Sequence, residues 1–452
     1  MTSKINNNKS KTYQKKRGEL EFFASCPRGL ENLLGEEILQ IAKKFSQNLV
    51  ENQIIIVAGG VTFFGDLNLM MQVNLYSRFA TRILLKLDEQ NYRNEQDIYQ
   101  FAKSQQWSLY FDVANTFKVS TTAIRCPLKS LNFLTLTVKD AICDFFREEY
   151  SQRPNVATFR PDVLVHLFIK ENSCSLYLDT SGEPLWLRGY RKKSVAAPLK
   201  ENLAAAMIDF TNWNYAENQP FVDAMCGSGT LILEALQKYF QLPANINRLE
   251  FGFEKLKIFD EISWKNIKQQ AENNILQRLQ EIQQNSPKTP ILLAFDNDKN
   301  AIYAIKENLK NFVFLNEKYF ENFENFENFE NFESSEKFDL KKFVLVQCQD
   351  ILNLQISEFT GNQSGVLLCN PPYGERLSDL RFLMEFYPQL ATALKNNWAG
   401  WLCGFLSADL QNFVKGLRLK PSRKIPLFNG DLDCRLFLFP MVAGSNRKTK
   451  NE

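Results

Sequence analysis

The 452-residue chain has little of the chemistry that metal sites and acid–base catalysis usually require. It contains a single histidine, His166, and its nine cysteines are scattered with no CxxC pair. A structural zinc site needs about four clustered cysteine or histidine ligands, so we expect no metal. Dispersed cysteines in a chain of this length are typical of reduced core residues, which predicts a cytoplasmic protein.

Long hydrophobic runs are absent as well. No segment approaches the roughly 18 uncharged apolar residues that cross a bilayer, and the N-terminus has no apolar signal core, so we expect no membrane span. The apolar fraction of 44% and the charged fraction of 23% are typical of a globular protein. Because 452 residues are too many for one ordinary core, we predict two or three domains.

The net charge of +3 conceals an uneven distribution of charged residues. Residues 1–18 hold six basic side chains and no acid, whereas residues 320–336 hold six glutamates and no base. Without those glutamates, 54 basic residues would face 45 acidic ones, a net charge of +9. Such an excess is typical of phosphate-binding proteins, but it equally fits a solvated surface with a disordered tail.

The first half of the chain predicts a disordered basic tail (1–18) and then an α+β binding region (19–180) without a catalytic cluster. The predicted elements are a strand at 20–26, a helix at 27–44, strands within 54–65, a helix at 67–85 and a hairpin of 162–170 and 173–179.

The second half, residues 181–443, predicts a parallel, doubly wound sheet, because short apolar strands alternate with helices. The predicted strands are 221–224, 291–296, 343–350, 365–370 and 399–407. Two further strands around Gly430 could add an antiparallel edge, and residues 444–452 form a polar tail.

Residues 318–337 interrupt this pattern with a fourfold FEN repeat. Phenylalanine at every third position drifts around a helix rather than holding one face, so the repeat predicts a low-complexity insertion, disordered or loosely helical. Its phenylalanines could engage a partner, and the sequence does not decide this.

Four strand ends carry polar residues that indicate a ligand site. The first strand runs into Gly227-Ser228-Gly229, the glycine turn, which lacks both the spacing of a dinucleotide fingerprint and the lysine of a phosphate loop. Asp223 just before it suits a cationic ligand. Asp296 could accept two ribose hydroxyls and Asp350 an adenine amino group. Each aspartate alone could be a helix N-cap, which is the role expected of Asp298.

The fourth strand ends in Asn370-Pro371-Pro372-Tyr373. An amino group on a base is a poor nucleophile, because its lone pair is delocalised into the ring. The side-chain oxygen of Asn370 and the carbonyl of Pro371 could accept its hydrogens and localise that lone pair, while Tyr373 stacks on the base. No general base with a tuned pKa is then required. The alternative is an ordinary Pro-Pro loop.

Several segments resemble a known family, the THUMP-containing class I methyltransferases, and most closely the bacterial large-subunit (23S) ribosomal RNA guanine-N2 methyltransferases. They include APLKENLA (197–204), DAMCGSGTLILEAL (223–236), NPPYGERL (370–377) and LFNGDLDCRLF (427–437). The resemblance implies an α/β fold: a Rossmann-like class I methyltransferase sheet preceded by an α+β, ferredoxin-like and THUMP-containing RNA-binding region.

The resemblance also implies roles for individual residues. S-adenosylmethionine is the implied cofactor, bound by Asp223, Cys226, Gly227, Gly229, Thr230, Asp296 and Asp350. Asn370, Pro371 and Tyr373 are the implied catalytic residues, and Arg188 and Arg191 the implied RNA contacts. The implied partner is 23S ribosomal RNA, free or in a pre-50S particle. Because the chain ends at residue 452, we do not expect the second methyltransferase domain of the fused members.

Alternatives remain open at this point. Guanine-N2 methylation of tRNA uses the same two modules, and the NPPY motif does not separate guanine N2 from adenine N6 in DNA. The THUMP-like half favours RNA. An RNA-binding protein with an inactive cofactor fold would require decayed strand ends, and these are intact.

Overall fold

The structure is a computed structural model that describes residues 19–46, 49, 51–194, 199–320, 340–371, 377–409 and 412–442. The predicted tails, and the predicted insertion from residue 321 onward, lie outside these residues. The chain divides into two compact units, of which the first is 1–26, 30–187 and 248–270 and the second is 27–29, 188–247 and 271–452. No helix in the described ranges is both long and apolar enough to cross a membrane.

The first unit is built on an eight-stranded sheet of its described residues, in the order β2-β3-β1-β4-β8-β7-β5-β6. Its elements are β1 Leu20–Ser25, α1 Glu31–Lys44, β2 Ile54–Val57, β3 Gly60–Gly65, α2 Leu67–Tyr76, β4 Arg82–Asn91, α3 Glu95–Lys103, β5 Thr116–Ile124, α4 Leu131–Tyr150, β6 Asn155–Val156, β7 Val163–Lys170 and β8 Ser173–Asp179. Antiparallel pairing of β7 with β8 confirms the predicted hairpin.

The helix predicted over 67–85 is wrong in its second half. Asp66 caps α2 by accepting the Leu69 N–H at 2.8 Å, and the helix ends at Tyr76. Residues from Arg82 onward belong to β4, which pairs with β1. The apolar run Ile83-Leu84-Leu85 fits a helix and a buried strand equally, and its pairing with β1 is a tertiary contact that periodicity cannot show.

The predicted division places residues 248–270 within the 181–443 domain. They belong to the first unit, whose main segment ends at Leu187 rather than at 180. The Phe253 N–H donates to the Thr180 carbonyl at 2.9 Å, and the Lys257 N–H donates to the Tyr110 carbonyl at 2.8 Å. These long-range backbone bonds leave no local signature in the sequence.

The second unit carries a seven-stranded sheet, counted over the described residues, in the order β11-β10-β9-β12-β13-β15-β14. The elements from here to the C-terminus are α5 Glu201–Phe210, β9 Phe221–Asp223, α6 Thr230–Tyr239, α7 Glu261–Gln284, β10 Leu292–Asp296, α8 Lys299–Leu315, α9 Glu317–Phe320, β11 Val344–Cys348, α10 Ser357–Thr360, β12 Val366–Cys369, α11 Leu377–Asn397, β13 Leu402–Ser407, α12 Asn412–Leu417, β14 Arg423–Asn429 and β15 Leu432–Pro440.

The first five strands of this order are parallel, which confirms the predicted doubly wound sheet. β15 runs antiparallel to β13 and to β14, and Gly430 sits in the turn of the β14–β15 hairpin, so the predicted antiparallel edge is also confirmed. β9 has β10 as its neighbour on one side and β12 on the other, so the strand order reverses direction at β9. The gap between β9 and β12 is therefore the topological switch point, where open α/β sheets bind ligands.

Candidate functional site

The polar strand ends predicted from the sequence meet at one edge of the seven-stranded sheet, here called the carboxyl edge. Asp223 is the last residue of β9 and Asp296 the last of β10, while Asp350 follows β11 by two residues and Asn370 directly follows β12. Because β11, β10, β9 and β12 are adjacent and parallel, all four strands end at this edge. The switch point lies between Asp223 and Asn370.

The glycine turn links β9 to α6 at this edge. Gly227 and Gly229 have φ angles of +50° and +85°, a left-handed backbone that favours glycine. A Cβ on Gly229 would also lie 2.4 Å from Cγ1 of Ile305, so α8 packs directly beneath the turn. Gly229 is the N-cap of α6 and offers no side chain to cap it, and Thr230 begins the helix.

Asp296 fastens the glycine turn to the neighbouring strand. One carboxylate oxygen accepts the Gly227 N–H at 2.9 Å, and the other accepts the Asp298 N–H at 3.0 Å. The side chain is half-buried, and each oxygen retains a second lone pair for a ligand. Asp298 caps α8 through the Asn300 N–H at 2.8 Å, which confirms its expected role.

Asp223 is the most buried acid of the site, with 2% of its surface exposed. It accepts the Met225 N–H at 3.2 Å, and in the described part of the chain no basic side chain lies within ion-pair distance of it. Burial raises the pKa of Asp223 well above its ordinary value, and the nearby Asp296 carboxylate raises it further. A cationic ligand would reverse this effect.

Two buried thiols, Cys226 and Cys369, lie beside Asp223. Burial raises the pKa of both, and the Asp223 carboxylate adds to the shift, so both stay neutral thiols. The Cys226 N–H donates to the Phe295 carbonyl at 3.0 Å, which ties the end of β9 to β10. Cys226 thus contributes its backbone to the site's architecture.

Asp350 and Asn370 are both half-buried at the carboxyl edge. The carboxylate of Asp350 accepts the Leu352 N–H at 2.9 Å and lies 3.5 Å from the side-chain nitrogen of Asn297. Pro371 is buried. Pro372 and Tyr373 lie outside the described residues, so the predicted stacking role of Tyr373 remains a prediction.

Arg188 and Arg191, the predicted RNA contacts, both have partners within the protein. The side chain of Arg188 has no exposed surface and forms a 3.5 Å ion pair with Glu234. Its guanidinium is thus sequestered from solvent in the described structure, and the predicted RNA contact of Arg188 stays a prediction. Arg191 instead donates to the Thr230 hydroxyl at 2.9 Å and to the Leu199 carbonyl at 2.6 Å.

Sequence reasoning missed Asn308, a fully buried residue of α8. Its side-chain nitrogen donates to the carbonyl of Ser228 in the glycine turn at 2.9 Å. An asparagine inside an otherwise apolar helix face is a signal that could have indicated such a role, since a buried amide needs hydrogen-bond partners.

Comparisons with known proteins agree with this architecture. Residues 21–84 match the RlmL ferredoxin-like domain and residues 92–179 the THUMP domain. The chain is 30% identical over 431 residues to a protein of Aeromonas salmonicida named ribosomal RNA large subunit methyltransferase K/L, and 31% identical over 425 residues to its namesake in Aeromonas hydrophila. Each alignment covers 94% of this chain and 55% of the relative, so the chain spans about half the length of these relatives.

A crystal structure of SMU.472 complexed with SAH (S-adenosylhomocysteine) shares the fold, with a TM-score of 0.74 and 22% identity over 96% of this chain and 100% of that one. Residues 188–340 and 332–437 match the family described as RMKL-like, methyltransferase domain, which covers more than half of the sequence. The chain therefore belongs to the family of RMKL-like methyltransferase domains.

Proposed function

We propose that the protein transfers the methyl group of S-adenosylmethionine to the exocyclic N2 amine of a guanine in 23S ribosomal RNA. The observation that carries this proposal is the meeting of Asp223 and Asn370 on either side of the switch point, because it sets a cation-seeking acid beside an amide suited to an amine. The match to the THUMP domain and the names of the Aeromonas relatives support an RNA substrate.

The residues at the carboxyl edge fit S-adenosylmethionine. Asp223, buried without a cation among the described residues, would bind the ammonium group of the methionine moiety. The N-terminus of α6, which has no side-chain cap, suits the carboxylate. Asp296 would accept the ribose hydroxyls and Asp350 the adenine amino group. When bound, the cofactor supplies a methyl group on a positively charged sulfur.

The amine chemistry falls to the segment after β12. Asn370 and the carbonyl of Pro371 would accept the two N–H groups of the target amine and direct its lone pair toward the methyl carbon. Tyr373 would stack on the base, a contact worth about 1–3 kcal/mol. The amine then carries a positive charge after transfer and loses a proton to water. No titrating side chain is needed, in keeping with a chain whose only histidine, His166, lies in the first unit.

The substrate RNA would be free 23S RNA or a pre-50S particle in the cytoplasm. Guanine in tRNA is the second candidate, since the same two modules would serve it. Methylation of adenine N6 in DNA has less support, because the THUMP domain match favours RNA. No cluster of metal-binding side chains occurs in the ranges that the structure describes, and the proposed reaction uses none.

A substrate-choice experiment tests the proposal. Purified protein with labelled S-adenosylmethionine is offered 23S RNA, pre-50S particles, bulk tRNA and duplex DNA, and the products are digested to nucleosides and identified by mass. We expect N2-methylguanosine from the ribosomal substrates, formed roughly 100-fold more slowly by an Asn370→Ala control. N2-methylguanosine from tRNA alone would select the second candidate, and N6-methyladenine from DNA would refute an RNA substrate.

A further inference from the structure

The segment that leads into the second unit, residues 188–194 and here called the strap, has an irregular backbone that side chains of α8 and α6 hold in place. It lies in no strand or helix, so its backbone polar groups need other partners. Asn308 accepts the Lys192 and Lys193 N–H groups at 2.8 and 2.9 Å and donates to the Lys193 carbonyl at 2.9 Å. Asn311, one helical turn later, donates to the Gly189 and Tyr190 carbonyls at 3.0 and 2.9 Å.

The glycine turn is fastened to the strap on both of its sides. Before Gly229, the Ser228 carbonyl accepts the side-chain N–H of Asn308 at 2.9 Å. After Gly229, the Thr230 hydroxyl accepts a guanidinium N–H of Arg191 at 2.9 Å. Arg191 is itself fixed by the Leu199 carbonyl at 2.6 Å and by the Glu201 carboxylate at 3.3 Å.

The bond from Arg191 has a consequence for the direction of the Thr230 hydroxyl. A guanidinium has donors only, so the Thr230 oxygen must act as the acceptor and its own hydrogen must point to another acceptor. That hydrogen, at the uncapped N-terminus of α6, is thus available to an anionic group. The Ser228 carbonyl accepts the side-chain N–H of Asn308 and so points toward α8. This keeps the carbonyl oxygen from facing the anionic group at the N-terminus of α6.

We propose that Asn308 and Arg191 are positioning residues that hold the glycine turn in the shape that binds S-adenosylmethionine, an inference that rests on the proposed function. Asn308 is not suited to touch the cofactor, because it is fully buried and all four of its hydrogen bonds go to protein backbone. Both would act through the turn. Arg191, expected from the sequence to contact RNA, is thereby reassigned to the cofactor site.

α8 supplies a control in Asn311, a second buried asparagine that holds the strap but does not bond the glycine turn. Both are asparagines of one helix, both are at most 4% exposed, and both hold the strap. Only Asn308 also bonds the turn. Asn308→Ala and Asn311→Ala should therefore both lower the melting temperature, while only Asn308→Ala weakens binding of SAH, by about tenfold.

The experiment measures SAH affinity by calorimetric titration of the full chain, together with melting temperature and 23S RNA affinity at fixed salt. Arg191→Lys keeps a positive charge near Glu201, but its side chain is about one bond shorter than that of arginine, whose Nη2 atom makes the contacts to Leu199 and Thr230. It should weaken SAH binding several-fold with unchanged RNA affinity. This variant keeps the inference testable if Asn308→Ala does not fold.

Three outcomes oppose the inference. Equal SAH affinities for the two asparagine variants would show that Asn308 is merely structural, and wild-type affinity for Arg191→Lys would remove Arg191 from the proposal. Loss of RNA affinity in Arg191→Lys with SAH binding intact would restore the RNA contact. If the wild-type chain itself bound no SAH, the proposed function would fail, a result distinct from failure of the positioning roles.

Discussion

Each unit has a buried aspartate as the last residue of a strand, and the two aspartates differ in whether a cationic side chain pairs with them. Asp179 ends β8 in the first unit and Asp223 ends β9 in the second; they are 3% and 2% exposed, and burial raises the pKa of both. Asp179 pairs with the Arg82 guanidinium and accepts the Ser181 and Gly182 N–H groups at 2.8 and 3.1 Å. Asp223 accepts the Met225 N–H and a hydrogen bond from the Cys369 thiol, and has no basic partner among the described residues.

Under the proposed function, the comparison separates a structural acid, Asp179, from one that would bind a ligand, Asp223. An isolated buried carboxylate is costly, so a fold that retains one without a cation points to a ligand that supplies the charge. The sheets reinforce the difference. In the mixed eight-stranded sheet, antiparallel neighbours place their carboxyl ends at opposite edges. In the seven-stranded sheet, the parallel strands place four polar carboxyl ends at a single edge.

Asp179→Ala should have the largest effect on stability. It leaves the guanidinium of Arg82 without its carboxylate and should lower the free energy of unfolding by about 3 kcal/mol. Urea unfolding followed by circular dichroism measures this, with Asp88→Ala, an exposed acid of β4, as the control. Equal losses in the two variants would mean that the Asp179 pair is not structural.

Asn370→Ala should slow methyl transfer by roughly 100-fold, because it removes one preorganised polar contact to the reacting amine. Affinity for RNA should barely change, since phosphate contacts dominate it. Single-turnover methylation and filter binding at fixed salt give the two quantities. Asn429→Ala, at the end of the edge strand β14, is the matched control. A wild-type rate for Asn370→Ala would move the catalytic site elsewhere.

Asp223→Asn should separate stability from binding. Affinity for SAH should fall about tenfold or more, because a charged partner of the ammonium is lost. The folded state keeps Asp223 protonated to higher pH than the unfolded state does, so the wild-type protein loses stability as pH rises above about 4. The asparagine removes that loss, and the ligand-free variant should melt higher at neutral pH.

The counterpart Asp179→Asn provides the contrast for that experiment. It removes the negative charge from beside Arg82 and should melt lower than the wild-type protein, with SAH affinity unchanged. Differential scanning fluorimetry with and without SAH measures both variants. If Asp223→Asn also melted lower, the wild-type Asp223 would already be satisfied within the protein and the contrast with Asp179 would collapse.

The smallest expected effect concerns His166 on β7, whose ring nitrogens each lie 2.9 Å from a hydroxyl, those of Ser120 and Thr122. Burial lowers the pKa of His166 to about 4, and the Arg82 charge contributes. Because the unfolded chain then binds a proton that the folded protein does not, the protein loses folding stability at His166 as pH falls from about 6.5 toward 4. Above about pH 6.5 this loss is absent. His166→Gln should reduce the stability lost between pH 7 and 5 by about 1 kcal/mol. An unchanged loss would mean that His166 titrates normally.

Much of the fold could be predicted because its signals are local. The parallel strands of the second unit are short apolar runs, the glycine turn follows the first of them, and Asp298 caps α8 as its residue type predicts. The four polar strand ends could be assigned to one crevice because parallel strands must end at the same edge. The chemistry of Asn370 stays a prediction that only the proposed experiments test.

The features that the sequence did not show share a physical cause, which is contact between residues distant in sequence. The run 82–85 became a strand through pairing with β1, and residues 248–270 joined the first unit through long-range backbone bonds. A basic side chain in a linker looks solvated, yet Arg188 is buried because Glu234, far along the chain, neutralises it.

The sequence by itself determined the alternation of strands and helices, the glycines of the turn and the acids that follow the strands, because these depend on residue type and spacing. Tertiary structure alone decided which charges are paired. It gave Asp179 an arginine and left Asp223 without a cation in the described chain, and it turned Arg191 toward Thr230. Burial and pairing arise from packing between distant segments, and no local pattern encodes them.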